Sequence, residues 1–287
     1  MTKVNTAAKP KLAMCNIFSD VAQLKAYALE HAFAGIDWSF DVRTLPDTPA
    51  EEAAWIKDMS ELHPLEVRYH CPFFRIDLGH ADPWEAKAAE VIFQRIIRLV
   101  ASTEGKYLTI HIGLGRDSTE PLSWEKTVNN LARVVQHGIS QGVRVCLENL
   151  VWGWTSRPQL FEKLIRKSGV GVTFDIGHAD ACESIQSHDY TLEDFVTPHS
   201  DRIYNAHIYH TEVAGLGHVP PERLEDIQGR LDLLRHIGCL WWVLEVREAR
   251  GLLQTKQILD RYFTQVDDQA APDGQSTSGR LPSRNVG

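Results

Sequence analysis

Glu148 (in VCLENL), Asp175 (in VGVTFDIGH), His207 (in IYNAHIYH) and Glu245 (in WWVLEV) each stand at the downstream end of a short apolar run rich in β-branched or aromatic residues. Ionisable groups are depleted inside strands, because an unpaired charge is costly to bury. Four runs that end alike predict strands whose carboxyl ends open on one polar mouth. Three carboxylates and an imidazole gathered there suit a hard-to-borderline divalent cation. The bland alternative, helix caps or a salt-bridge network, needs basic partners. Of the Lys and Arg residues that could pair with the four, only Arg247 lies close in sequence.

Other chemically capable residues fall at comparable places. His70 (YHCPF) and His111 (IHIG) end two neighbouring segments and could approach one another, as a second metal position, as hydrogen-bond donors to substrate hydroxyls, or in a structural role. Asp175 and His178 form a D-x-x-H element that crosses from strand to loop. His218 lies in the loop after the seventh strand segment, GLGHVPP, suited to substrate or a second metal or simply to facing solvent. The spacing of His210 from His207 sends the two to opposite faces. Trp38, Phe73, Trp152 and Trp154 are candidate mouth aromatics, and Trp38 and Trp152 are expected to line the substrate site. Arg43, Arg116 and Arg157 are candidates for gripping a phosphate or carboxylate, though each also reads as a solvated loop residue.

The elements that must position these groups alternate along the chain. Strand candidates cover 11–17, 35–40, 66–72, 107–113, 143–150, 170–177, 202–210 and 240–247. Between them run stretches with apolar residues at three- and four-residue spacing. The clearest, PWEAKAAEVIFQRIIRLVASTEG, has Pro83 fit for a first turn and Gly105 as a stop. Eight such units predict an α/β fold, a single (β/α)8 TIM barrel with its active site at the C-terminal ends of the strands. The barrel domain is expected over 11–267, between a disordered N-terminus (1–10) and a Pro/Gly/Ser-rich disordered tail (268–287).

Bulk properties narrow the partners. A length of 287 residues and a hydrophobic fraction of 43% allow one large core. A formal charge of −8 without a Lys/Arg cluster argues against long nucleic acid as substrate. The five cysteines are scattered without C-x-x-C spacing, and Cys15, Cys146 and Cys239 read as buried fillers. No signal peptide and no run of membrane-spanning length are visible, so a cytoplasmic setting without membrane is expected. Tryptophans near the mouth would suit a homodimer.

At these residues the chain resembles the xylose-isomerase-like TIM barrel superfamily, which holds sugar and sugar-phosphate isomerases and epimerases together with endonuclease IV-type enzymes. The carriers are G-I-D-W, H-C-P-F, I-H-I-G, L-E-N-L, F-D-I-G-H-A, A-H-I-Y-H and L-E-V, in that order over about residues 11–265. Each is loose alone, and the ordered set is specific. The resemblance implies one divalent ion (Mn, Co, Mg or Zn) held by Glu148, Asp175, His207 and Glu245. It also implies that Glu148 and Glu245 handle the proton and that His178 touches substrate. The endonuclease branch adds zinc ions, which would place His70 and His111 with Glu148 on one and His178 and His218 on another. That branch has an aspartate two residues before the position of His218. Here the place is Leu216, so the third site is expected to lack its carboxylate.

The expected activity is that of a divalent-metal-dependent sugar or sugar-phosphate isomerase/epimerase of carbohydrate metabolism, working by proton transfer through an enediolate with Glu148 and Glu245 as base and acid. Its partner would be a small sugar-like substrate. One alternative is a zinc-dependent phosphodiesterase of the endonuclease IV-like branch, with two or more Zn ions. The other is a non-catalytic ligand-binding barrel, which predicts no metal.

Overall fold

The computed structural model describes residues 8–270, in which strands and helices alternate as the periodicity predicts. The strands are β1 (Lys11–Cys15), β2 (Gly35–Ser39), β3 (Glu66–Cys71), β4 (Tyr107–Ile110), β5 (Arg144–Glu148), β6 (Gly171–Asp175), β7 (Ile203–Ile208), β8 (Thr211–Val213), β9 (Gly217–Val219) and β10 (Trp241–Leu244). Eight of them close into a parallel barrel in the order β1-β10-β7-β6-β5-β4-β3-β2, and β8 and β9 form a separate antiparallel hairpin. The α/β class and the single (β/α)8 barrel are as expected. The expected disorder of 1–10 and 268–287 falls largely outside the described residues. Within them, the last helix runs Ala249–Ala270, three residues into the expected tail.

The helices start where local chemistry stops the preceding loop. Asp82 caps the helix Pro83–Ser102 by accepting from the Trp84 amide, and Pro83 occupies its first turn. Thr48 and Glu51 form a reciprocal capping box on Pro49–Glu61. Phe93, Ile96, Ile97 and Val100 lie on one face of Pro83–Ser102, at the spacing of an inward stripe, and are buried.

The period of two along each strand carries the site. The residue two places before each candidate ligand fills the barrel interior beneath it. Thr109 precedes His111, Thr173 precedes Asp175, Asn205 precedes His207, and all three are buried. They join into one polar layer, with Thr109 and Thr173 hydroxyls 2.7 Å apart and Asn205 Nδ2 donating to Thr173 Oγ1 at 3.0 Å. Below that layer Arg68 lies over the rings of Tyr107 (3.9 Å) and Trp241 (4.3 Å) and donates to Asn205 Oδ1 at 2.5 Å. Gly35 is required here: a Cβ would come within 2.4 Å of the Trp241 ring and 2.2 Å of the Glu66 carbonyl oxygen. The barrel is thus plugged at its lower end, and its inward polar residues accumulate at the upper end.

Candidate metal centre

Glu148 and Asp175 are the last residues of β5 and β6, His207 lies in β7, and Glu245 directly follows β10; all four are buried. The sequence expectation that these four meet is met in space. Glu245 Oε2 is 2.8 Å and Glu148 Oε2 3.2 Å from His207 Nδ1, with Asp175 Oδ2 at 3.8 Å. One potential ligand atom from each of the four lies within 4.8 Å of the others.

Besides the group Asp37, His70 and His207, two further sets adjoin this quartet. His70 at the end of β3 and His111 just past β4 bring their Nε2 atoms to 3.3 Å, and these stand 3.5 and 3.2 Å from Glu148 Oε2. Glu148 therefore belongs to both sets. On its other side, Oε1 lies 3.4 Å from His178 Nδ1. His178 is placed by the turn after β6: Asp175 Oδ1 accepts from its amide at 2.7 Å, opening the helix Ile176–Ala181. Asn149 locks β5 to β6 there, donating to the Asp175 carbonyl at 2.8 Å and accepting from the Asp175 amide at 2.9 Å.

The third set corrects the expectation drawn from Leu216. A carboxylate is present, and it comes from Glu212. Glu212 and His218 are directly opposed in the β8–β9 hairpin, which puts both side chains on one face. Glu212 Oε2 lies 3.1 Å from His178 Nε2, and His178, Glu212 and His218 form a third possible ligand group. Leu216 sits at the hairpin tip, 77% exposed. The turn preceding it depends on Gly215, whose φ of +80° suits only glycine well. Reading GLGHVPP as a plain loop concealed this carboxylate; the paired β-branched flanks around Gly215 and Gly217 were the available signal. His218 is further fixed by stacking on Tyr209, centroids 4.0 Å apart at 7°.

Other candidates lie elsewhere. Trp38 alternates with inward Asp37 and so packs outward, against the core under the helices. The Trp152 ring approaches Gly113, and neither tryptophan lines the cavity. Arg43 pairs with Asp41 and Arg116 with Asp77. His210 bonds Arg230, away from His207 as its spacing implies. All five cysteines are free and buried. Asp37, unassigned at the outset, is 1% exposed and lies beneath His70 and His207.

Electrostatics and hydrogen bonding point to the same chemistry. Among the described residues the charge partners of Glu148, Asp175 and Glu245 are all histidines. Burial raises the Glu148 carboxyl, but His207 and His111 outweigh it and hold it well below its usual range. Burial pushes Asp175 up to about 6, helped by Glu148. Burial lowers His207 and His178, yet the adjacent carboxylates win and raise both. Asp37 Oδ2, His70 Nδ1, both Glu148 oxygens, Asp175 Oδ2, both His207 ring nitrogens and Glu245 Oε2 are buried without a hydrogen-bond partner. Orphaned polar atoms are rare and costly in native interiors. Their convergence, in an oxygen and nitrogen donor set, fits divalent cations. A cavity of about 520 Å³ opens onto them, rimmed by Phe74, Leu114, Leu216, Pro220 and Arg247.

A family model described as "xylose isomerase-like TIM barrel" matches residues 25–262. The chain belongs to that family. An uncharacterized protein of Methanocaldococcus jannaschii, MJ0008, is 30% identical over 197 residues, 69% of this chain and 80% of that protein. Among solved structures, a D-tagatose 3-epimerase-like protein superposes with a TM-score of 0.68 at 17% identity, covering 91% of this chain and all of that one. Endonuclease IV from Thermus thermophilus superposes at 0.63 with 16% identity, covering 89% of this chain and all of that one. Such identities establish the shared barrel of the family and leave the reaction to the site. No helix among the described residues is long and apolar enough to cross a membrane.

Proposed function

We propose that this family member is a hydrolase of small phosphoesters with more than one divalent cation in its centre. The observation that carries the reading is Glu148, shared between the quartet and the His70–His111 pair, with His178, Glu212 and His218 alongside. A proton-transferring isomerase needs only the quartet. In that chemistry the remaining histidines would contact substrate, whereas their grouping with Glu148 and Glu212 suits adjoining cations. Bound there, such cations supply Lewis-acid polarisation of the phosphoryl group, orientation, and a lowered pKa for water.

The chain's own residues do the rest. Glu148, held ionised by His207 and His111, presents one oxygen to each side. Among the described residues Arg247 is the one Lys or Arg lining the cavity, positioned to offset phosphate charge. Phe74 (71% exposed) and Leu216 give the rim an apolar surface for the organic part of the ester. A cavity of about 520 Å³ and a formal charge of −8 favour a small ester over a long duplex.

The isomerase/epimerase reading is kept as a second one, because Glu148 and Glu245 face one point near His207 Nδ1, as a two-base proton transfer requires. Metal analysis by mass spectrometry, with assays on aryl phosphate mono- and diesters and on a ketose and ketose-phosphate panel, separates the two. Two or more cations per chain with phosphoester turnover supports hydrolysis. One cation with ketose turnover overturns it in favour of the epimerase.

A further inference from the structure

Asp37 is a buried carboxylate without a conventional counter-ion. It is 1% exposed, its Oδ2 lacks a hydrogen-bond partner, and no lysine or arginine among the described residues pairs with it. Its charge neighbours are two imidazoles on two other strands: His70 Nδ1 at 3.5 Å and His207 Nε2 at 3.9 Å. Burial of a lone carboxylate is costly enough to demand a reason.

The far nitrogen of each ring supplies it. His70 turns Nε2 toward His111 and Glu148, at 3.3 and 3.5 Å. His207 turns Nδ1 toward Glu245 and Glu148, at 2.8 and 3.2 Å. A neutral imidazole has one donor and one acceptor nitrogen. If His70 Nε2 and His207 Nδ1 offer lone pairs to cations, the proton must sit on His70 Nδ1 and on His207 Nε2. Both protons then point at Asp37, though Glu245 Oε1 also lies 3.7 Å from His70 Nδ1. The two separations are longer than a hydrogen bond, so the role requires the carboxylate and the rings to approach by a few tenths of an ångström.

We propose that Asp37 is a positioning residue that fixes the tautomer and orientation of His70 and His207 together, so that one carboxylate tunes two adjoining cation sites. Asp37 also forms a possible ligand group with His70 and His207; here it takes the ring N–H protons instead, with the cations on the far nitrogens. The assignment rests on the multi-cation reading above, which alone gives both histidines a ligand role.

The test is a Co(II) titration of wild type, D37A and D37N, starting from chelator-stripped protein, with affinities from chelator competition and coordination from the visible absorption spectrum. Wild type is expected to bind at least two equivalents. D37A is expected to weaken the two tightest sites together by about 10–100-fold, with a changed visible spectrum. D37N, which keeps the shape and one acceptor oxygen, is expected to fall between, and it carries the test if D37A does not fold. Affinities within about twofold of wild type in the folded variant, or weakening confined to one site, overturn the assignment. A wild type that binds no Co(II) overturns the metal centre itself and this assignment with it, while binding of one equivalent overturns the shared role.

Discussion

Glu212 and His218 face each other across the β8–β9 hairpin, and together they complete with His178 a possible ligand group whose carboxylate is absent from the linear motif around His218. Glu212 Oε2 already lies 3.1 Å from His178 Nε2. Glu212→Ala is therefore expected to lower the bound divalent cation by about one equivalent per chain. Its side chain is 36% exposed, so the fold should change little, within roughly 0.5 kcal/mol. Metal content by mass spectrometry beside a thermal melt checks both; unchanged content removes Glu212 from the centre.

Glu148 links the ligand sets, so Glu148→Gln should be more damaging than any change at the periphery. Altering groups behind a ligand already costs about 10–100-fold in activity or metal affinity, and loss of the shared carboxylate should exceed about 100-fold in turnover. Steady-state kinetics on the substrate found, with circular dichroism to verify folding, is the check. Turnover within tenfold of wild type would remove Glu148 from the mechanism.

Cation removal should also be visible in stability. The orphaned atoms around Glu148 and His207 mean that the stripped site carries uncompensated polar groups. A ligand present at about 100 times its Kd contributes about 2.7 kcal/mol, a shift in Tm of the order of 5–10 °C for a chain of this size. Differential scanning calorimetry with and without EDTA measures it. An unchanged Tm would favour a barrel that binds no metal.

The acid limb of stability has a separate source in His199, buried with both ring nitrogens unpartnered and edge-on to Phe161. Burial lowers its pKa to about 4. The unfolded chain takes up this proton below about pH 6.5 and the folded chain only near pH 4, so stability falls as pH drops through that window. The full effect is about 3 kcal/mol. His199→Leu should flatten the stability–pH curve between pH 6.5 and 4 relative to wild type, measured by urea unfolding of the chelator-stripped proteins. Parallel curves would refute this role.

Much of the site was legible because strand periodicity is local. Glu148, Asp175, His207 and Glu245 end apolar runs, and parallel strands in a closed barrel must deliver such ends to one rim. His70 and His111 could be paired for the same reason. Glu212 could not, because its placement depends on hairpin register, which a Gly-containing turn sets and linear spacing to His218 misrepresents. Trp38 was misread for the opposite reason: aromatic character suggested the mouth, while alternation with inward Asp37 sends it to the helix layer. The role of Asp37 required three-dimensional contact between strands distant in sequence.

The pairing of β1 with β10, Lys11 against Trp241 through Met14 against Leu244, joins the two extremes of the barrel. This seam cannot form until the last strand has left the ribosome, and Glu245 emerges with it. A nascent chain therefore holds most of the site's donor atoms before the barrel that gathers them has closed.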